Sequence, residues 1–206
     1  MQNINYDLVT LSVLAGGKSS RMGKDKALLP FLGIPLIERI VSRLCLITGE
    51  VIVATDNPDL YSSYDWKIVV DEVKETGPLA GIYASFKAAS FPLVAVVACD
   101  MPFVSEMLFK ILMRECQDKK TDAAVPASPR GLEPMHAVFC KESCLPIIKE
   151  SFDTGELEIK KWINKLNLLV LGRDEVSQID PNFAMFVNVN TQEEYTRAEQ
   201  NSQTTN

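Results

Sequence analysis

Between Leu14 and Lys26 the chain reads Leu-Ala-Gly-Gly-Lys-Ser-Ser-Arg-Met-Gly-Lys-Asp-Lys. The glycines Gly16, Gly17 and Gly23 let the backbone turn tightly and approach a ligand closely, and successive main-chain N–H groups can form a nest for an anion. Lys18, Arg21, Lys24 and Lys26 place four cations within nine residues of a chain whose formal net charge is −6. Such a cluster is the local electrostatic mark of an anion site. Far downstream, the apolar run Leu-Val-Ala-Val-Val-Ala-Cys ends in Asp100. A carboxylate at the end of a buried strand needs a partner. Mg2+ suits it, because this hard cation takes one or two carboxylates together with waters and substrate phosphates. Asp71 ends a second short apolar run in the same way. In-line phosphoryl chemistry asks for positioning and charge neutralisation, not for a covalent nucleophile. A chain with one histidine, His136, is adequate for it.

Two familiar phosphate motifs fail on this loop. The dinucleotide fingerprint needs Gly-x-Gly-x-x-Gly, whereas Gly16 and Gly17 are adjacent and the next glycine is Gly23. A Walker A loop encloses four residues between its glycines and continues Lys-Ser/Thr; here five residues separate Gly17 from Gly23, and Lys24 is followed by Asp25.

The elements that must hold these residues follow from periodicity. Short β-rich apolar runs at 8–14, 51–55, 67–71, 93–100, 123–126, 135–139, 168–171 and 185–189 are expected strands. Residues 35–46 begin with Pro35 and carry Leu36, Ile37, Ile40, Val41 and Leu44 at three-four spacing, one buried face of a helix. Residues 78–89, 105–116 and 191–200 predict further helices. In the last of these, Thr191 and Glu194 have the spacing of a capping box. Strands alternate with helices, and run 93–98 is apolar throughout rather than at every second residue. This predicts an α/β fold with a mostly parallel sheet covered on both faces. In such sheets ligands sit beyond the carboxyl ends of the strands, where the glycine loop and Asp100 both lie.

Composition sets the outer bounds. The chain has 206 residues, 47% hydrophobic and 23% charged, enough for one good core and marginal for two. A single domain over 1–200 is expected, with a flexible polar tail at 201–206. The acidic balance disfavours a nucleic-acid partner. The longest apolar stretch, 91–98, is far too short for a membrane span of roughly 20 residues. The N-terminal apolar run lacks a basic lead and a cleavage pattern, so a cytoplasmic protein is expected. Cys45, Cys99, Cys116, Cys140 and Cys144 contain no Cys-x-x-Cys pair, and with one histidine they make no zinc site. They are read as reduced core thiols.

The stretch Leu-Ala-Gly-Gly-Lys-Ser-Ser-Arg-Met-Gly-Lys-Asp-Lys-Ala-Leu-Leu resembles the signature loop of the nucleotidyltransferases in its molybdenum cofactor guanylyltransferase form. Val-Val-Asp-Glu, Gly-Pro-Leu-Ala-Gly-Ile, Ala-Cys-Asp-Met-Pro-Phe, Glu-Pro-Met-His-Ala-Val-Phe and Phe-Val-Asn-Val-Asn-Thr follow in order, so the resemblance spans residues 8–195. It implies a three-layer Rossmann-like nucleotidyltransferase fold. It also implies transfer of GMP from GTP to the phosphate of molybdenum-molybdopterin, with Mg2+ as cofactor and pyrophosphate as leaving group. Molybdoenzymes or other cofactor-biosynthesis proteins are the further partners it suggests. By the same resemblance Leu14, Ala15, Gly16 and Gly17 hold the nucleotide, Arg21 grips the departing phosphates, Lys26 reaches the α-phosphate and Asp100 holds the metal. Asp71 touches the nucleotide, at base, ribose or metal. Gly77, Pro78, Leu79, Ala80 and Gly81 run past the base and favour guanine. Ala54 departs from the family, which often has Asn there; Asn57 is a candidate substitute. Asn188 and Asn190 resemble a late segment that returns to the metal site, and Arg130 and Arg173 are candidate anchors for an anionic acceptor. Two alternatives stay open: a nucleotidyltransferase of other specificity, and a nucleotide-binding adaptor without catalysis.

Overall fold

The computed structural model describes residues 5–16, 25–70 and 77–203. In chain order the elements are β1 (Val9–Leu14), β2 (Pro30–Phe31), β3 (Ile34–Pro35), α1 (Leu36–Leu44), β4 (Glu50–Ala54), β5 (Lys67–Val69), α2 (Pro78–Ala88), β6 (Leu93–Ala98), α3 (Glu106–Lys119), β7 (Ala123–Ser128), β8 (Gly131–Leu132), β9 (His136–Cys140), α4 (Lys141–Thr154), α5 (Ile159–Ile163), β10 (Leu168–Leu171), α6 (Arg173–Ile179) and α7 (Gln192–Gln203). The main sheet has the order β10-β7-β9-β6-β1-β4-β5, with β8 paired to β7 outside that path. β1 runs parallel to β4 and β6, β4 to β5, and β10 to β7. Only β9 is antiparallel within the main path, to both β6 and β7. The physical reason is length: the seven residues between β7 and β9 are too few for a parallel crossover, which takes a dozen or more.

Helices cover both faces and make three layers. On one face Ile37, Ile40 and Leu44 of α1, Leu108 and Leu112 of α3 and Val176 of α6 pack on Leu11, Val13, Ala95 and Val97. On the other, Leu79, Ile82 and Phe86 of α2, Cys144 and Ile148 of α4 and Trp162 of α5 pack on Ile52, Val94 and Val96. Successive residues of β6 therefore enter opposite cores, which explains why this run is apolar without alternation. The polar Ser12 on β1 is accommodated because its hydroxyl donates to Ser85 Oγ at 2.8 Å, and Ser85 Oγ in turn donates to the Gly81 carbonyl.

Several segments depart from the expected elements. Residues 185–189 do not form a strand: Ala184–Phe186 is a 3-10 turn preceded by Phe183 in the left-handed region (φ 53°). Asp180 Oδ2 accepts the Met185 N–H at 2.8 Å, and Val189 N reaches Asp100 O at 3.0 Å. The segment is thus tied by isolated bonds, not by a ladder. Helix α4 carries Pro146 in its interior, which in the sequence marks a helix boundary rather than a continuous helix. It tolerates the proline because Pro146 and Glu142, whose carbonyl loses its intrahelical donor, lie on the exposed face where water replaces the bond. Helix α7 runs to Gln203, three residues into the expected tail. Phe31, Val189, Tyr195 and Ala198 form a small separate core that fastens α7 to the β2–β3 hairpin.

Candidate active site

The carboxyl ends of β1, β4 and β6 lie side by side, with Leu14 opposite Ala54 and Ala98. Three segments converge just beyond them. The first begins with Asp25, whose Oδ1 accepts the Ala27 N–H at 3.0 Å and so starts a 3-10 turn at Lys26. The second is the end of β6, where Cys99 N donates to Leu14 O at 3.1 Å and delivers Asp100. The third is the 188–190 segment, stitched to the second by Val189 N to Asp100 O.

Lys26 joins all three. Its ammonium donates to Asp100 Oδ2 at 3.0 Å and to Asn190 Oδ1 at 2.6 Å, and the residue is only 8% exposed. Two of its three N–H groups are thereby engaged, and the third is left to point elsewhere. On the acid side, Asp100 Oδ1 and Asn188 Oδ1 are buried oxygens with no hydrogen-bond donor among the described residues. An unsatisfied buried oxygen costs about 1–3 kcal/mol. Two of them on stitched segments suit a hard cation, so the donors present fit Mg2+. Among the described residues no group of three or more His, Cys, Asp or Glu could hold a metal; Mg2+ does not require one when substrate phosphates complete its shell.

At the carboxyl end of β1, Leu14 O is engaged by Cys99 N and Ala15 N donates to Ala54 O at 2.8 Å, while Gly16 is exposed. Gly77 has φ 65° and ψ −154°, a conformation that effectively requires glycine, and it launches α2 with Pro78 at its first position. The amino end of this 11-residue helix carries partial positive charge. Leu79 and Ala80 are buried beneath it. Gly81 packs against the end of β1 and β4: a Cβ there would meet Leu14 Cδ2 at 3.4 Å and the Ala54 Cβ at 3.6 Å, ordinary van der Waals contact. Ala54 is itself buried at this contact. Gly17, Lys18, Arg21, Lys24 and Asp71 lie outside the described residues.

Several positioning residues had no clear signal in the sequence. Arg39 Nε donates to Pro102 O at 3.0 Å and Arg43 Nη1 to Val104 O at 3.1 Å, so α1 holds the turn after Asp100 from outside. Asp56 lies near Gly16, 3.7 Å from where a Cβ on that glycine would be. Arg130 donates through Nη2 to Phe186 O and its Nε lies 3.8 Å from Glu133 Oε1, which ties the hairpin after β7 to the 184–186 turn. Arg173 opens α6. Burial pushes the Cys99 thiol up to about 12, with the Asp100 charge adding to the effect, so it stays protonated.

His136 is a core residue. Its ring stacks on Phe109 at 4.9 Å and meets Phe186 edge-on at 5.2 Å, with Nδ1 3.2 Å from Met101 Sδ. Burial pushes its pKa down to about 3. The unfolded chain takes up this proton near pH 6.5 and the folded chain only near 3, so stability falls as pH drops between these values. We expect a loss of about 2 kcal/mol from pH 7.5 to 5, a range above most carboxylate titration. Denaturant unfolding at a series of pH values should show this slope in the wild type and a flatter one in His136→Phe. Equal slopes would show that the imidazole is not the source.

A family model for the MobA-like NTP transferase domain matches residues 11–169. A probable molybdenum cofactor guanylyltransferase of Peptoclostridium acidaminophilum is 33% identical, over 88% of this chain and 84% of its own length. A molybdenum cofactor guanylyltransferase of Desulfosudis oleivorans is 30% identical over 94% and 95%. Among solved structures, molybdopterin-guanine dinucleotide biosynthesis protein A of Archaeoglobus fulgidus superposes with a TM-score of 0.82 at 25% identity, covering 95% of this chain and 99% of that one.

Proposed function

The chain belongs to the MobA-like NTP transferase family, and from that membership we propose that it transfers GMP from GTP to the phosphate of molybdenum-molybdopterin. An oxygen of the acceptor phosphate attacks the α-phosphorus, the new O–P bond forms as the bond to the β-phosphate oxygen breaks, and pyrophosphate leaves. The observation that carries the reading is the Lys26 ammonium, fixed by Asp100 and Asn190 beyond the carboxyl ends of the sheet.

Lys26 faces the α-phosphate with its remaining N–H and offsets the charge that builds there in the transition state. Arg21 takes the β- and γ-phosphates by its planar fork. Gly16, Gly17 and the amino end of α2 bring backbone N–H groups to the nucleotide, Asp71 contacts it, and the Gly77–Gly81 turn lies along guanine. Asp100, with Asn188 near it, would hold Mg2+, which when bound supplies Lewis-acid neutralisation of the phosphate oxygens. The protein works in the cytoplasm in this reading, which its five unpaired cysteines support, and its product passes to molybdoenzymes.

Thermal unfolding with GTP, CTP, UTP or ATP, each with and without Mg2+, tests the donor without the pterin. A ligand at 100 times its Kd stabilises by about 2.7 kcal/mol. We expect a selective rise in Tm with GTP that needs Mg2+. A selective rise with CTP or UTP would move the protein to another specificity. No rise with any nucleotide would overturn the assignment of the site.

A further inference from the structure

We propose that Glu194 is a positioning residue for the transfer, acting through Asn190 to fix where the Lys26 ammonium points. Its kinetic part rests on the guanylyltransferase reading above; its structural part does not.

Glu194 first looks like half of a helix cap. Its N–H donates to Thr191 Oγ1 at 3.1 Å, and its Oε2 accepts the Thr191 N–H at 3.1 Å, the reciprocal pair of a capping box. The cap does not explain the shortest bond. The same Oε2 accepts the Asn190 N–H at 2.7 Å, and Asn190 precedes the capping residue. Helix α7 gains nothing from that contact, because the Asn190 N–H is not among the orphan donors of its first turn.

Asn190 is also the residue whose Oδ1 accepts from Lys26 Nζ at 2.6 Å. Its main chain is held on one side by Glu194 and, one residue earlier, by Val189 N on Asp100 O at 3.0 Å. Asn190 and Glu194 are both exposed, so beyond the buried Val189 the Glu194 carboxylate is the contact that holds the Asn190 main chain. The segment would then pivot on the Val189 bond, and Lys26 would keep Asp100 as its only fixed acceptor there. Small displacements of a positioned catalytic group carry large rate penalties.

Steady-state kinetics with GTP and the molybdopterin acceptor, alongside amine labelling of Lys26 read by mass spectrometry, test this. Glu194→Ala is expected to lower kcat about 10-fold with KM for GTP within about twofold, and to raise Lys26 labelling severalfold. Glu194→Gln keeps an acceptor oxygen and should return both readouts to near wild type. Thr191→Ala removes the other half of the cap and should lower Tm by an amount similar to Glu194→Ala, with kcat and labelling unchanged. If Glu194→Ala does not fold, Glu194→Asp keeps the charge but retracts it by one methylene, and the same kcat loss is expected. Wild-type kcat and labelling in the Glu194 variants would overturn the proposal, as would an equal kcat loss in Thr191→Ala. A wild-type protein inactive with GTP would overturn the functional reading instead, and the labelling comparison would still decide whether Glu194 orders Lys26.

Discussion

Lys26→Ala is expected to lower kcat with GTP at least about 100-fold, the scale of removing one preorganised donor from a developing oxyanion. The ammonium is held in advance: Asp100 Oδ2 at 3.0 Å and Asn190 Oδ1 at 2.6 Å fix it before substrate arrives. Little reorganisation therefore remains at the moment of reaction, and the interaction is strongest where negative charge peaks. KM for GTP should move much less than kcat, because the loss falls on the transition state. Lys26→Arg should not restore the rate, since a planar fork cannot replace a compact ammonium seated between two acceptors. Release of pyrophosphate measures turnover, and thermal unfolding of the same variant separates chemistry from stability. Near-normal turnover in Lys26→Ala would remove the residue from the catalytic set.

Asp100→Ala and Asp100→Asn should each cost at least about 100-fold in turnover, and they isolate different parts of the carboxylate. The alanine variant removes both the partner of Lys26 and the buried oxygen that lacks a donor. The asparagine variant keeps an oxygen for Lys26 at similar reach but removes the charge that a hard cation requires. Beyond turnover, the Mg2+-dependent part of the GTP-induced rise in Tm should disappear in both. Asp100→Asn with an unchanged Mg2+ response would show that the carboxylate does not hold the metal, whatever its effect on rate. This variant also probes Lys26: if the amide oxygen still fixes the ammonium, Lys26 labelling should stay low while activity is lost.

The antiparallel β9 and the buried His136 show how local chemistry and fold meet. A crossover needs more chain than the seven residues available after β7, so the strand returns against it and carries His136 into the core behind Asp100. There the imidazole lies beside Met101, one residue from the carboxylate, and must stay neutral because burial holds its pKa near 3. The histidine thus contributes to packing behind the site, and its charge is absent at the pH where the carboxylates are ionised.

By itself the sequence determined the α/β class, seven of the strands, the end of β1 at Leu14 and the glycine loop with its cations, and it placed Asp100 at the end of the run 93–100, although β6 stops at Ala98 and Asp100 follows in the turn. These are local properties: continuous apolar runs, three-four spacing and the residue at which a run stops are written in neighbouring positions. The capping box at Thr191 and Glu194 was legible for the same reason. What only the tertiary structure decided is which ends meet. Lys26 finds Asp100 across 74 residues and Asn190 across 164, through crossovers whose geometry no spacing records. The 185–189 run has a strand's composition because four of its five residues are apolar, yet Met185, Phe186 and Val189 are buried by packing beside the sheet without a ladder to join. Glu194 shows the same division within one side chain. Its cap to Thr191 is a matter of sequence distance, whereas its influence on Lys26 exists only because the fold seats Asn190 between them.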